Sequence, residues 1–378
     1  MPFYQLHPDI GMNFQINRVL TYGEQAGSLK EIQVMATQIH DFESWYMEWK
    51  NLATNAEKEK RYLHAAYGYR MAEFFLTEDR PEKAQCYEAF IQCFYRAVDL
   101  DDFERFNVPY EGKTLPAMRF KAPKEKGVIV VHGGYDSFME EFYLTIKQLP
   151  SAGYTIILFE GPGQGAALKQ QGLKFTHEWE KPVSAVLDYF NLEHATLLGI
   201  SWGGYLALRA AAFEKRIERA IAYDVCFDGL EVMTRPMPTP IRQIARLLIR
   251  NNSQTVGNAL INRMMKRSFL LNWAVTHGMY ITGTKTPIDF YRQLSLHTMR
   301  PISSRIHQDV LLLAGEKDHY IPINQFYQQQ NALINSHSTK SRLFTIAEGG
   351  EQHCQVGNHQ LAVDEMVRWL DSFYDRRI

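Results

Sequence analysis

The 378-residue sequence has only four cysteines, no long apolar run and no excess of either charge. Each shortage removes a class of function. Cys86, Cys93, Cys226 and Cys354 show no metal-ligand spacing, so no metal site is expected. They read as buried free thiols, and the expectation that goes with them is a reducing, cytoplasmic setting. No stretch approaches the apolar length of a membrane-spanning helix. The opening "MPFYQLHPDIGMNFQINRVL" lacks the basic-then-apolar order of a signal peptide. Membranes are therefore not expected as partners. Lys plus Arg number 41 against 42 Asp plus Glu, with no basic stripe, so nucleic acid is not an expected partner either.

What is present is enough for a large core, and its pattern changes along the chain. The first hundred residues are helical in period. "SLKEIQVMATQIHDFESWYMEWKNLA", "EKEKRYLHAAYGYRMAEFFL" and "PEKAQCYEAFIQCFYRAVDL" repeat apolar residues every three or four positions, and Pro81 suits a first helical turn. "FERFNVPYEGKTLPAMRFKAP" alternates around a turn and predicts a hairpin. Beyond it, "GVIVVHGG", "YTIILFEGPGQG", "ATLLGIS", "RAIAYDV", "DVLLLAGEKD" and "RLFTIAEGGEQH" predict strands. "FMEEFYLTIKQL", "EWEKPVSAVLDYF", "YLALRAAAF" and "LAVDEMVRWLDSFY" predict helices between and after them. Apolar strands alternating with helices imply an α/β fold, a mostly parallel sheet covered on both faces. The expected division is a helical region over 1–104 and an α/β domain over 105–378. A helical insertion over about 229–300, too long for an ordinary crossover, reads as a lid. The aromatic helices also offer a surface for a homodimer.

The chemistry gathers at the ends of the strands. "GISWGG" puts Ser201 in a Gly-x-Ser-x-Gly turn between a strand and a helix, the arrangement that lifts a serine hydroxyl to the top of a sheet. Gly199 and Gly203 are read as making room where strand and helix pass closely. A serine hydroxyl needs a base, and the base needs an acid to orient it. Asp318 follows a strand in "LLLAGEKDHYIP", with Glu316 and Glu351 as alternative acids. His353 lies in the loop of "FTIAEGGEQHCQ", while His319 and His359 suit surface or capping positions. Two N–H donors are required for an oxyanion. Trp202 supplies one, and "VVHGGYDS" supplies the other through Tyr135, with Gly134 as the alternative. His132 reads as a brace for that loop. Asp136 is open between an Asx turn and an auxiliary acid.

With these parts in order, the sequence from about Phe106 onward resembles the α/β-hydrolase superfamily. "HGGYDS", "FEGPGQG" and "GGEQHCQ", together with the helical N-terminal region, resemble one subfamily more narrowly. It contains bacterial 2,6-dihydroxypseudooxynicotine hydrolase, fungal polyketide chain-shortening hydrolases, and esterase- and acyl-peptidase-like relatives. The resemblance implies a Ser201–His353–Asp318 triad, roofed by the N-terminal helices and the insertion. It implies a small-molecule substrate and no cofactor. Some relatives cleave a carbon–carbon bond beside a ketone and carry an acid near the oxyanion loop, where this chain has Asp136. Ester, thioester, amide and β-dicarbonyl substrates are thus the candidates, with acyl transfer or a non-catalytic binding role as alternatives. "FEGPGQG" suits a tight turn near the pocket, and no P-loop lysine follows it.

Overall fold

The computed structural model describes residues 2–235 and 237–374. Five helices come first: α1 (Ile10–Thr21), α2 (Leu29–Ala36), α3 (Phe42–Lys58), α4 (Tyr62–Phe74) and α5 (Pro81–Ala97). The stretch that reads as one helix from Ser28 is divided between α2 and α3. Asp41 restarts it, because its carboxylate accepts the Ser44 N–H at 2.7 Å and forms a capping box. Helix α1 has no counterpart in the sequence expectation, since the buried Asn13, Gln15 and Asn17 interrupt its apolar spacing. Two of these amides are used locally. Asn13 accepts the Leu6 N–H at 2.8 Å and Asn17 accepts the Tyr4 N–H at 2.7 Å, which ties the leading strand of chain to the helix.

The predicted hairpin is β1 (Glu104–Tyr110) and β2 (Lys113–Phe120). Glu111 and Gly112 turn it with φ of 47° and 72°, the two positive values of a type I′ turn. The remaining strands are β3 (Gly127–His132), β4 (Tyr154–Phe159), β5 (Ala195–Ile200), β6 (Ile217–Tyr223), β7 (Asp309–Gly315) and β8 (Ser338–Phe344). They form one eight-stranded sheet in the order β1-β2-β4-β3-β5-β6-β7-β8. Only the β1–β2 and β2–β4 pairs are antiparallel.

Side chains alternate across this sheet as the pleat requires. Ile129, Val131, Leu198, Ile200, Leu311 and Leu313 face one way, into a buried cluster that also holds Trp45, Trp49, Phe90 and Phe94 of the N-terminal helices. Val130, Leu197, Ala220, Val310 and Leu312 face the other way. The N-terminal helices therefore share a core with the sheet.

Short helices α6 (Tyr143–Ile146) and α7 (Gly165–Lys169), then α8 (Glu180–Tyr189) and α9 (Gly203–Ala211), connect the central strands. "FMEEFYLTIKQL" is not one helix: a 3-10 turn over Met139–Phe142 precedes α6. Glu141 causes the break, turning inward to Arg18 and Arg70 while accepting the Phe138 N–H at 3.1 Å. The insertion between β6 and β7 is helical, as expected: α10 (Gly229–Thr234), α11 (Thr239–Arg250), α12 (Gln254–Met265), α13 (Phe269–Thr282) and α14 (Pro287–Ser295). It packs on the N-terminal helices. The Trp273 indole donates to the Phe74 carbonyl at 3.1 Å, and the Phe42 and Phe269 rings lie 4.8 Å apart. Helices α15 (Ile323–Ala332) and α16 (Gln360–Tyr374) complete the chain. Among the described residues all four cysteines are free, and no helix is long and apolar enough to cross a membrane.

Candidate active site

The turn between β5 and α9 is as tight as its glycines suggest. Ser201 has φ of 63°, a left-handed conformation that costs a residue with a side chain and persists only when its surroundings enforce it. Its N–H donates to the Tyr223 carbonyl on β6. A methyl group on Gly199 would fall 1.9 Å from the Gly203 carbonyl oxygen, so strand and helix do pass as closely as expected. Gly203 is required for a different reason: its missing side chain leaves room for the Gly133 carbonyl of the neighbouring loop, which a methyl would meet at 2.7 Å.

Ser201, His353 and Asp318 are brought together. Ser201 Oγ lies 2.7 Å from His353 Nε2, and His353 Nδ1 lies 2.6 Å from Asp318 Oδ2. Asp318 is fixed in turn, since its Oδ1 accepts the Tyr320 and Ile321 N–H groups at 2.7 and 2.9 Å. Burial opposes its charge, yet His353 and these donors hold the carboxyl below the usual range. Burial also works against a charged His353 ring, but the Asp318 carboxylate outweighs it and lifts the ring well above its ordinary value. Glu316 points elsewhere, accepting the Ile346 N–H at 2.6 Å, and Glu351 pairs with Gln352. His319 packs its ring on Phe14 and Tyr320, while the His359 carbonyl starts α16. Phe14 of α1 also reaches His353, with ring centroids 6.1 Å apart.

The loop after β3 lies against the serine turn. A methyl on Gly134 would come within 2.8 Å of both the Ile200 carbonyl oxygen and the Trp202 nitrogen. Neither the Trp202 nor the Tyr135 N–H has an acceptor among the described residues, so both are open donors. His132 braces this loop: its Nδ1 donates to the Gly133 carbonyl at 3.0 Å, and complete burial pushes its value down to about 4. Gln164, in "FEGPGQG", does more. Its side-chain amide donates to the Gly133 and Gly134 carbonyls at 2.8 and 2.9 Å, and its oxygen accepts the Gly161 N–H at 3.0 Å. In a trans peptide the C=O and the next N–H point oppositely. By holding the Gly134 carbonyl, Gln164 directs the Tyr135 N–H away from itself. Sequence reading gave that motif a turn and missed the clamp.

Asp136 sits in a buried ionic cluster. The fully buried Arg70 lies 3.4 Å from its carboxylate and also pairs with Glu73 and Glu141. His277 of α13 lies 3.6 Å from Asp136 and 3.0 Å from Glu78, and the buried Lys83 pairs with Glu73 and Glu78. Burial opposes the Asp136 charge, but Arg70 and His277 hold its carboxyl well below the usual range. A carboxylate so held has no proton to give, which weighs against the auxiliary-acid role.

Asp224 was not anticipated. This buried residue after β6 brings its Oδ2 to 3.2 Å from His353 Nδ1. Asp224, His353 and Cys354 place ligand-type atoms within 4.8 Å of one another. Burial raises the Cys354 thiol above its ordinary value, and that thiol donates to the Tyr223 carbonyl at 3.6 Å rather than offering a thiolate.

Comparison with known proteins identifies the family. A 20-hydroxy-prefusarin hydrolase of Gibberella moniliformis is 29% identical over 96% of each chain. Hydrolase acrC of Aspergillus aculeatus is 27% identical over 98% of each. Among solved structures, 2,6-dihydroxy-pseudo-oxynicotine hydrolase superposes with a TM-score of 0.68 at 19% identity, covering 95% of both chains. That likeness is one of fold. The model of the alpha/beta hydrolase fold matches residues 127–352, from the first parallel strand to the residue before His353. With a mostly parallel sheet, a serine at the strand-to-helix turn and that match over more than half its length, this chain belongs to the alpha/beta hydrolase fold family and is a hydrolase.

Proposed function

We propose that the chain is a serine hydrolase that forms an acyl-enzyme on Ser201. The observation that carries this reading is the unbroken Ser201–His353–Asp318 contact, at 2.7 and 2.6 Å. Ser201 Oγ attacks the substrate carbonyl as its proton passes to His353 Nε2. Asp318 orients the ring and stabilises the imidazolium. The Trp202 and Tyr135 N–H groups receive the oxyanion, with the Gly134 N–H as the alternative to Tyr135. His353 then returns the proton to the leaving group, and water repeats the sequence to release the acid.

The bonds that suit this site are those of an ester, thioester or amide, because each leaving group needs only the proton His353 carries. Phe14 and Tyr320 set aromatic rings beside His353, which favours a small or medium organic substrate with an apolar body. Carbon–carbon cleavage of a β-dicarbonyl would also proceed from Ser201. The ion pairing of Asp136 with Arg70 and His277 supports the ester, thioester or amide reading over it. The N-terminal helices and the insertion serve as the roof of the pocket.

A fluorophosphonate probe is expected to label Ser201, identified by peptide mass spectrometry. Ser201→Ala is expected to lose turnover on the order of a million-fold while keeping its fold. Labelling at another residue, or a tenth of normal activity in the variant, refutes the reading.

A further inference from the structure

The end of β6 holds both halves of the site together. The Tyr223 carbonyl takes the Ser201 N–H, and the Tyr223 hydroxyl donates to the Cys354 carbonyl at 2.6 Å. The next residue, Asp224, is 1% exposed and accepts the Cys354 N–H at 2.7 Å. The same Oδ2 lies 3.2 Å from His353 Nδ1, the nitrogen that Asp318 meets at 2.6 Å. Gln355 reaches the other Asp224 oxygen at 3.5 Å. The loop gripped in this way is unfavourable by itself, since Cys354 and Gln355 both have φ of 48°.

We propose that Asp224 is a second positioning carboxylate for His353, holding the ring in register and sharing the charge of its imidazolium with Asp318. This rests on the serine-hydrolase reading. When Ser201 attacks, its proton moves to Nε2 and the ring gains one positive charge between two carboxylates. When the proton leaves for the departing group the ring is neutral again, and Asp224 has neither gained nor lost a proton.

Two carboxylates have opposing effects on rate. They stabilise the imidazolium formed at the transition state, yet they also favour the protonated ring at rest, which cannot act as a base. The groups facing this carboxylate and ring come from several elements. They are Asp318, His319 and Tyr320 after β7, Cys354 beside His353, and Tyr223 and Cys226 at and beyond the end of β6, with Tyr22 behind Cys354 and Tyr223. Burial raises the Asp224 carboxyl to about 6, opposed by His353 and reinforced by the Asp318 charge. At neutral pH and above, both carboxylates therefore face the ring. Removing one should make His353 a base at lower pH and a weaker partner for the transition state.

The test is the pH profile of kcat/KM on an aryl ester for wild type, Asp224→Asn, Asp318→Asn and the double variant. Asp224→Asn is expected to move the acid limb to lower pH by about one unit. Its plateau kcat should fall about tenfold with KM unchanged. Asp318→Asn is expected to keep a residual rate that the double variant loses by a further tenfold or so. A structural role alone would lower the rate without moving the limb. Superposed acid limbs, or a double variant no slower than Asp318→Asn, overturn the proposal. Nitrogen-15 histidine NMR tests the contact without turnover: the His353 ring must titrate lower in Asp224→Asn than in wild type. An unchanged titration overturns the proposal even where Ser201 labels normally. Loss of Ser201 labelling with a shifted titration instead sinks the serine reading and leaves the contact standing.

Discussion

Gln164 and Gly134 are joined by a hydrogen bond of 2.9 Å from side-chain amide to carbonyl, and the adjoining Tyr135 N–H faces the opposite way. The bond sets the direction of the N–H proposed above as an oxyanion donor. Gln164→Ala frees two carbonyls at once. Its kcat is expected to fall on the order of a hundred-fold, the scale of losing or misaiming one donor. KM should change little, while the thermal midpoint should fall, because two carbonyls and the Gly161 N–H are left buried without their partner. Steady-state kinetics alongside thermal unfolding check this, and an unchanged kcat would remove Gln164 from any positioning role.

The difference between what the sequence disclosed and what it withheld has a physical basis. Ser201 and Asp318 follow β5 and β7, whose apolar runs stand out, while His353 follows β8, where only Leu343 and Phe344 close a polar strand. The central strands were legible because a short apolar run, buried on both faces of a parallel sheet, is a local signal. Asp224, Gln164 and Arg70 act across long separations, and no fixed spacing ties them to their partners. An aspartate ending a strand or a glutamine among glycines looks the same whether or not it grips something. Helix α1 was hidden for a related reason, because its buried amides serve neighbouring backbone and imitate a polar surface.

Stability should depend on pH through His277. Burial disfavours its charged ring, but Asp136 and Glu78 outweigh this and raise it above the ordinary 6.5. A histidine raised on folding adds stability that is complete below its unfolded value and fades as pH climbs through its folded value. The difference in thermal midpoint between wild type and His277→Asn is therefore expected to be largest below pH 6.5 and to shrink above it. A difference that stays flat with pH would show that folding does not raise the ring's value.

Deleting the N-terminal helices should not leave a working sheet. A chain beginning at Asp102 loses Trp45, Trp49, Phe90 and Phe94 from the shared cluster and uncovers Phe120, Phe138 and Tyr143. Each fully buried large side chain contributes about 1.5–3 kcal/mol, and the exposed patch would drive association. Aggregation on size-exclusion chromatography is the expected result. A soluble monomer with unchanged kinetics would refute it.

The contact between Phe14 and His353 bears on the order of events during synthesis. Domains generally fold from the N-terminal end as the ribosome works. Here an early helix and a midway serine both wait for a base encoded near the far end, and Ser201 and His353 are 152 positions apart. In the serine-hydrolase reading, Ser201 gains its base only once His353 has been made, when the N-terminal helices and the insertion are already present.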